Sequence, residues 1–404
     1  PKRDQLLQQL LMVLAFAIPW ARKALPTIIA LVSLIALIRF IQRRTWSLPK
    51  QPTTIIALFA LFLLHVVGTF YSDHPNDAWN EVGIKFSFFI FPLLTLVIPN
   101  LQNEDVRRIK NAFIAGCFVF IAITLTHAGY IAWQHSDWYY ITYDRLGWYM
   151  HPTYAATYQS LAFYFLIEHG RSKNLSLIHK WLLLFSMVLA LVFIALLSSK
   201  AGYLCVILVL AFAIVEAWKQ TTYLSRTSVQ AIVAATIFIG TIFILPTTSE
   251  RVEHAVQDIS TKETGQEKTN NSGTHTSSTQ VRLITWSAAW SLLSEHPFGV
   301  GTGDTQHRLN TIYEVESEPY AAARSFNAHN QFLQTGAELG WFSIAALILI
   351  LVATWKNAHH ESTALLFVML CALNFLFESF LEVQAGIVFF CFWVLFYSKA
   401  SKTA

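Results

Sequence analysis

Four basic side chains in this sequence are placed where they could act together on an anionic substrate: Lys85, Lys200, Arg282 and His329. A single lysine near lipid can extend its ammonium to the membrane surface, but four cations on one side of a membrane are better explained by a shared site. Fixed cations stabilise the charge that develops on a departing diphosphate, and imidazole is a natural base toward a hydroxyl. The group therefore predicts transfer of a sugar from a diphosphate to an acceptor hydroxyl.

The composition places these residues in a membrane. The chain has 404 residues, of which 54% are apolar and 13% are charged. Soluble domains carry about 25% charged residues, and they lack apolar runs as long as 28–38 and 181–197. This composition argues against a soluble multidomain enzyme and a disordered chain. A net charge of +4 without a basic domain also argues against a nucleic-acid partner. We predict an all-α integral membrane protein in contact with membrane lipids.

Apolar stretches between polar breaks give about twelve transmembrane helices, since a span needs about 20 mostly apolar residues. The predicted spans are 5–21, 24–41, 53–71, 82–99, 110–133, 151–168, 178–197, 201–217, 229–247, 330–354, 361–379 and 383–398. The loops on one side hold 17 of the lysines and arginines, against 5 in the opposite short loops. Because basic loops stay inside, both termini are predicted to be cytoplasmic.

One polar insert, residues 248–328, interrupts the apolar chain and is predicted to face outward as a large periplasmic loop. It separates nine predicted helices in residues 1–247 from three in residues 329–404. Within it, 261–280 has no apolar residue and is predicted to be flexible. Residues 281–295 are predicted to form a helix at the membrane interface, with four residues on one face: Arg282, Trp286, Ala289 and Leu293.

Two further patterns surround the predicted histidine site. The glycine-rich stretch 299–303 could form a backbone nest for an anion or a plain tight turn, and the turn is favoured because the stretch follows a helix. In the next span, His329, Gly336 and Gly340 fall on one predicted helical face, where small residues allow a neighbouring helix to approach. Glu338 lies on the same predicted helix and is expected to neutralise a cation.

The outer loop 71–81 contains Asp73, His74 and Asp77, which are ligand types suited to a divalent metal. Two acids separated by a proline form a weak pattern, and the sequence offers no second acidic cluster to complete a site. A solvated loop is the favoured interpretation. We therefore predict no metal and no cofactor.

Several short motifs, taken in their order along the chain, make this sequence similar to the bacterial O-antigen ligase family, within the wider group of O-antigen polymerases and protein O-oligosaccharyltransferases. The pair His329-Asn330 precedes Gly340 at the family's spacing. The other motifs are Arg282 with Trp286, the stretch 296–303, Ser198-Ser199-Lys200-Ala201-Gly202 and His151-Pro152. The resemblance implies a GT-C-like glycosyltransferase architecture in the bacterial inner membrane, with the active site facing the periplasm.

The resemblance also implies a reaction. A polysaccharide would pass from undecaprenyl diphosphate to the lipid A–core oligosaccharide by an inverting, metal-independent transfer. His329 would be the base, Arg282 and Lys200 would bind the diphosphate, and Lys85 would be a further cationic contact. Asn330, Trp286, His151 and Arg324 are secondary candidates. Lys200 stands where the family usually has arginine, which keeps the charge but loses the bidentate fork.

Two alternatives remain open. A polymerase or a protein-glycosylating transferase would share this scaffold and differ only in its acceptor. A transporter of lipid-linked oligosaccharides would also have about twelve spans, but transporters usually place charged sites near the midplane of two related halves. The candidate groups here cluster at one end of the predicted bundle, which favours catalysis at that surface.

Overall fold

A computed structural model describes residues 2–47, 52–171, 175–220, 238, 240, 278–357 and 362–400. These residues form helices, and the extended pairing recorded among them is one backbone bridge between Leu101 and Ala400. The all-helical expectation is therefore confirmed for the described residues. The predicted span 229–247 lies outside them apart from residues 238 and 240, as does most of the predicted flexible segment 261–280.

The chain divides into two compact units. Unit 1 comprises Pro1–Val32 and Gln102–Glu253, and unit 2 comprises Ser33–Leu101 and His254–Ala404. The boundary between the units falls inside helix α2 (Leu25–Arg43). The other helices of unit 1 are α1 (Lys2–Ala17), α6 (Asn103–His135), α7 (Tyr143–Leu146), α8 (Pro152–Gly170), α9 (Leu177–Leu196) and α10 (Lys200–Gln220).

Unit 2 contains the apolar helices on both sides of the insert and the helices of the insert itself. In chain order these are α3 (Thr53–Thr69), α4 (Pro75–Lys85), α5 (Ser87–Val97), α11 (Ser278–Glu295), α12 (Thr305–Val315), α13 (Pro319–Arg324), α14 (Gln331–Leu339), α15 (Trp341–Asn357), α16 (Ser362–Phe377) and α17 (Gln384–Lys399). A short 3-10 turn, Phe380–Glu382, precedes α17.

Five helical stretches are long and apolar enough to cross a membrane by length and composition: Arg22–Arg43, Pro75–Val97, Asn103–His135, Leu177–Leu196 and Lys200–Lys219. Shorter apolar helices cover Asp4–Ala17, Thr53–Thr69, Trp341–Lys356, Ser362–Phe377 and Gln384–Lys399. A count of twelve spans therefore stays a prediction. The predicted outer helix 281–295 is present and begins three residues earlier, at Ser278.

One predicted span is broken. The stretch 330–354 forms two helices, α14 and α15, separated by Gly340, whose φ is +77°. A side chain at Gly340 would clash with the Pro297 carbonyl oxygen, 2.3 Å from the position of an added Cβ. Only glycine combines that backbone angle with such a close approach. The expectation that His329, Gly336 and Gly340 share one helical face was therefore wrong.

Candidate functional site

The segment that carries His329 is a short, tightly held turn before α14. His329 has a left-handed φ of +45°, which is unfavourable for a residue with a side chain. Its backbone N–H donates to Asn327 Oδ1 at 3.0 Å. Asn330 then caps α14, because its Oδ1 accepts from the Leu333 N–H at 3.1 Å. The turn places His329 just outside the helix, which begins at Gln331.

The imidazole of His329 meets a carboxylate that the sequence analysis did not identify. Nδ1 of His329 lies 3.2 Å from Oε1 of Glu378, in the segment directly after α16. The two side chains are 20% and 7% exposed, so the carboxylate is buried and the imidazole is partly accessible. If Nδ1 carries the proton that Glu378 accepts, Nε2 keeps a lone pair for a substrate.

Side chains of helix α11 donate hydrogen bonds both to the turn that contains His329 and to the residue before Glu378. The Arg282 Nε–H donates to the Phe377 carbonyl at 3.1 Å, and the Trp286 Nε1–H donates to the His329 carbonyl at 3.2 Å. These two residues are one helical turn apart, so they project from the same side of α11. The Arg282 guanidinium carries two further nitrogens, which makes it suited to binding an oxyanion.

Asn330 adds a direct bond between the two segments, because its Nδ2 donates to the Leu376 carbonyl at 3.2 Å. The structure therefore brings together four sequence-predicted residues in unit 2: Arg282, Trp286, His329 and Asn330. Arg324 lies at the end of α13, exposed, with its guanidinium 4.6 Å from the centre of the Tyr320 ring.

Lys85 occupies a different position in unit 2. Its side chain is 1% exposed, and its Nζ donates to Glu382 Oε2 at 2.6 Å and to the Leu381 carbonyl at 2.8 Å. A buried ammonium of this kind is tolerated because it is paired. Glu338, expected to neutralise a cation, has its Oε1 3.0 Å from His65 Nδ1, with both side chains 3% exposed.

Lys200 and His151 belong to unit 1, where their motifs meet. His151 caps α8 ahead of Pro152, and its Nδ1 accepts from the Thr153 N–H at 3.4 Å. The Thr153 hydroxyl lies 3.3 Å from that of Ser199, which precedes Lys200. The two motifs that carried part of the family resemblance are therefore neighbours at the ends of α8 and α10.

The outer loop with Asp73, His74 and Asp77 packs against α12 through a set of polar contacts. Asp304, 2% exposed, accepts from the backbone N–H groups of Asp73 and His74 and from the Ser72 hydroxyl. The ring of His74 stacks on His307 at 3.8 Å, and His307 Nε2 lies 2.9 Å from Asp77 Oδ2. Across the described residues, no group of three or more His, Cys, Asp or Glu side chains is placed to hold a metal ion.

Burial disfavours the charged carboxylate of Asp304, but the hydrogen bonds from Asp73, His74 and Ser72 outweigh it and lower the pKa of this side chain. Asp304 is therefore held ionised, and it anchors the loop at 72–74 to the start of α12.

The glycine-rich stretch 299–303 is a packed turn. The amides of Val300 and Gly301 donate to the carbonyls of Ala337 and Glu338, each at 3.0 Å, and the Gly299 amide donates to His296. These N–H groups bond to protein carbonyls, which favours the tight-turn interpretation over an anion nest.

Comparison with known families identifies one segment. Residues 185–348, less than half of the chain, match the family described as O-antigen ligase. A search of curated proteins finds no match. The matched segment supports the O-antigen ligase/polymerase superfamily and confirms the resemblance predicted from the sequence. It includes Lys200, Arg282, Trp286, His329 and Asn330, whereas Lys85, His151 and Glu378 lie outside it.

Proposed function

Starting from a multi-pass membrane protein whose residues 185–348 match the O-antigen ligase family, we propose that this chain is an O-antigen ligase. It would transfer a polysaccharide from undecaprenyl diphosphate to the lipid A–core oligosaccharide. The observation that carries the proposal is the pairing of His329 with the buried Glu378, next to the Arg282 of helix α11. A base, a group that orients it and a cation for a leaving group are thus within one small region.

In the proposed reaction, His329 Nε2 takes the proton of the acceptor hydroxyl. The acceptor oxygen attacks the anomeric carbon of the donor sugar as the bond from that carbon to the diphosphate oxygen breaks. Attack from the face opposite the leaving group inverts the configuration at this carbon. The products are the extended glycan, undecaprenyl diphosphate and a protonated imidazole. Glu378 stabilises that imidazolium and keeps the ring in one orientation, as carboxylates do for other histidine bases.

The diphosphate is assigned first to Arg282, the family resemblance implies Lys200 as a second contact, and no metal or cofactor enters the proposed reaction. Arg282 offers a planar fork that fits two phosphate oxygens, and Lys200 offers a single point charge. Lys85, the third cation predicted for the donor, is already bound to Glu382. It would contact the diphosphate only if that buried ion pair opened, so we rank it after the other two.

We further propose that the protein resides in the bacterial inner membrane, with both termini in the cytoplasm and the active site facing the periplasm. The distribution of lysine and arginine, 17 in one set of short loops and 5 in the other, supports this orientation. Both proposed substrates carry lipid tails. A transferase for such substrates needs a site beside the membrane surface, and Arg282 and His329 belong to the polar insert and its boundary.

A second function, O-antigen polymerase or protein O-oligosaccharyltransferase, uses the same donor chemistry. The family match is compatible with both, and the acceptor decides between them. A transporter of lipid-linked oligosaccharide is the alternative from another class. It would need no group to take a proton from an acceptor hydroxyl, so a partly accessible His329 paired with Glu378 favours a transferase.

The deciding experiment is reconstitution of the purified protein in lipid vesicles with undecaprenyl-diphosphate-linked polysaccharide. Lipid A–core, the donor glycan itself and an acceptor protein are supplied in separate reactions, and the products are resolved by mass. Polysaccharide on lipid A–core supports the ligase. A lengthened lipid-linked chain or a glycosylated protein would instead identify the alternative transferases, and movement of intact donor across the bilayer without a new linkage would identify a transporter.

A further inference from the structure

The contact between His329 and Glu378 depends on two chain segments that are far apart in sequence. His329 lies in the turn before α14, and Glu378 lies directly after α16. Two residues after His329 comes Gln331, and shortly after Glu378 come Leu381 and Glu382. Gln331 is therefore close in sequence to His329, and the 3-10 turn Phe380–Glu382 is close in sequence to Glu378.

Gln331 connects the two segments through both ends of its amide. Its Oε1 accepts from the Leu381 backbone N–H at 2.5 Å, and its Nε2 donates to Glu382 Oε1 at 2.8 Å and to the Thr335 hydroxyl at 2.7 Å. Gln331 is 1% exposed. Inside a membrane protein these bonds have little competition from water, so they hold the first turn of α14 against the segment that follows Glu378.

Lys85, at the end of α4, also bonds to the segment that follows Glu378. Its Nζ donates to Glu382 Oε2 at 2.6 Å and to the Leu381 carbonyl at 2.8 Å, and Glu81 Oε2 lies 3.9 Å away. The two oxygens of Glu382 are thus divided between Gln331 and Lys85. Buried ion pairs often contribute little to stability compared with apolar packing, and some specify a geometry.

We propose that Lys85, Glu382 and Gln331 form a positioning network that sets the contact between His329 and Glu378. The network acts through the backbone of the turn Phe380–Glu382 and the start of α14, and this role requires no contact between its members and a substrate. Lys85 thereby has a role separate from the diphosphate contact that the family resemblance implies. This inference rests on the proposed function for its catalytic consequence, but its structural content can be measured without substrate.

The test is a double-mutant cycle between Gln331→Met and Glu378→Gln. Gln331→Met keeps the size of the side chain, adds no charge and removes the bonds to Leu381 and Glu382. In the reconstituted transfer reaction we expect it to lower kcat by about tenfold or more while changing the donor KM less than about twofold, because small misplacements of catalytic groups are costly. In the Glu378→Gln background the same change should have a much smaller further effect, since the carboxylate that the network positions is already gone.

The same cycle can be read without any substrate, by the rate at which diethyl pyrocarbonate modifies His329. We expect Gln331→Met to raise this rate several-fold in the native background and to leave it unchanged in the Glu378→Gln background. If transfer is absent with every acceptor but this cycle is non-additive, the network stands and the proposed function falls. If transfer occurs but both cycles are additive, the network is overturned and the proposed function stands.

Three further variants provide a rescue, a milder substitution and a control. The double substitution Gln331→Glu with Glu382→Gln exchanges the two side-chain types and preserves the net charge and the hydrogen-bonding groups of the network, so kcat should recover to within about threefold of native. Gln331→Asn shortens the amide by one methylene and gives a milder version if Gln331→Met does not fold. Gln159→Met is the matched control, because Gln159 is equally buried in unit 1, and its Nε2 donates to the Cys117 carbonyl at 3.0 Å. A loss of kcat in this control equal to that in Gln331→Met would contradict the proposal.

Discussion

Two of the histidine–carboxylate pairs in unit 2 have similar contact distances and different surroundings. In the pair His329–Glu378, Nδ1 and Oε1 are 3.2 Å apart, and in the pair His65–Glu338 they are 3.0 Å apart. The side chain of His329 is 20% exposed, whereas those of His65 and Glu338 are 3% exposed. The Nδ1–Oε1 distance therefore does not distinguish the two pairs. The exposure of the imidazole does, because a base must be accessible to its substrate.

The backbone around the two pairs also differs. His329 lies in a turn with a left-handed φ, held by Trp286 and Asn327 through its backbone. His65 lies inside α3, where its carbonyl accepts from the Thr302 hydroxyl at 2.7 Å. Strained turns that are fixed from several sides are common at functional sites, whereas a fully buried pair inside helices is typical of packing. This difference supports the proposal that His329 is the base and that His65 has a structural role.

The largest expected effect comes from removing each histidine in turn. His329→Ala should reduce glycan transfer by about 10²–10⁴-fold, the usual contribution of a general base, with little change in stability. His65→Ala should leave turnover per folded molecule near native while lowering the free energy of unfolding by about 1–3 kcal/mol, because Glu338 loses its partner. Transfer assays and thermal unfolding in lipid nanodiscs measure both. His296→Ala, an exposed histidine at the end of α11, is the control. Normal transfer by His329→Ala would remove the base assignment.

Replacing the carboxylate of each pair should again lower kcat for one pair only, and by less than replacing the histidine does. Glu378→Gln keeps the shape of the side chain but removes the charge that stabilises the imidazolium, so we expect kcat to fall by about 10²-fold with donor KM little changed. Glu338→Gln should leave kcat within about twofold of native. Steady-state kinetics with purified donor measure both variants. Equal losses of kcat in the two would show that exposure does not distinguish the pairs.

The cations proposed to bind the diphosphate should give a more modest effect. Arg282→Lys keeps the charge but loses the planar fork, so we expect the donor KM to rise by about tenfold. Lys200→Arg should be tolerated if the site requires only charge there, with donor KM within about threefold of native. Donor titration at saturating acceptor measures each change. A large rise of the donor KM in Lys200→Arg, together with a native donor KM in Arg282→Lys, would show that Lys200 and not Arg282 has the stricter geometric requirement.

The smallest expected effect concerns the polar contacts of the outer loop, where the buried Asp304 pairs with His74, whose side chain is 45% exposed and whose ring stacks on His307. The pKa of Asp304 is lowered in the folded protein, so its contribution to stability is fully present above the unfolded value of about 3.9. It is lost as the pH falls through the lower folded value. We expect Asp304→Asn to cost about 1 kcal/mol at neutral pH and progressively less as the pH falls below the unfolded pKa. Thermal unfolding over that range measures the difference, and a constant cost at all pH values would contradict it.

The sequence predicted the helical regions well, because a long apolar run must form helix in a membrane to satisfy its backbone. It also identified Arg282, Trp286, His329 and Asn330, which the structure brings together. It missed the break at Gly340, because an isolated glycine is also common inside membrane helices. It missed Glu378 as well, since an acid at the end of an apolar span has no periodic pattern and its meaning depends on a segment 49 residues away.

By itself, the sequence determined that this is an all-helical membrane protein with one polar insert, because apolar run length and charge placement act locally along the chain. It also determined which side chains are suited to the chemistry. Only the tertiary structure decided which histidine has an accessible nitrogen and which carboxylate orients it. It also showed that Lys85 is bound to Glu382. These outcomes depend on distances between segments that are remote in sequence, and such distances are set by packing.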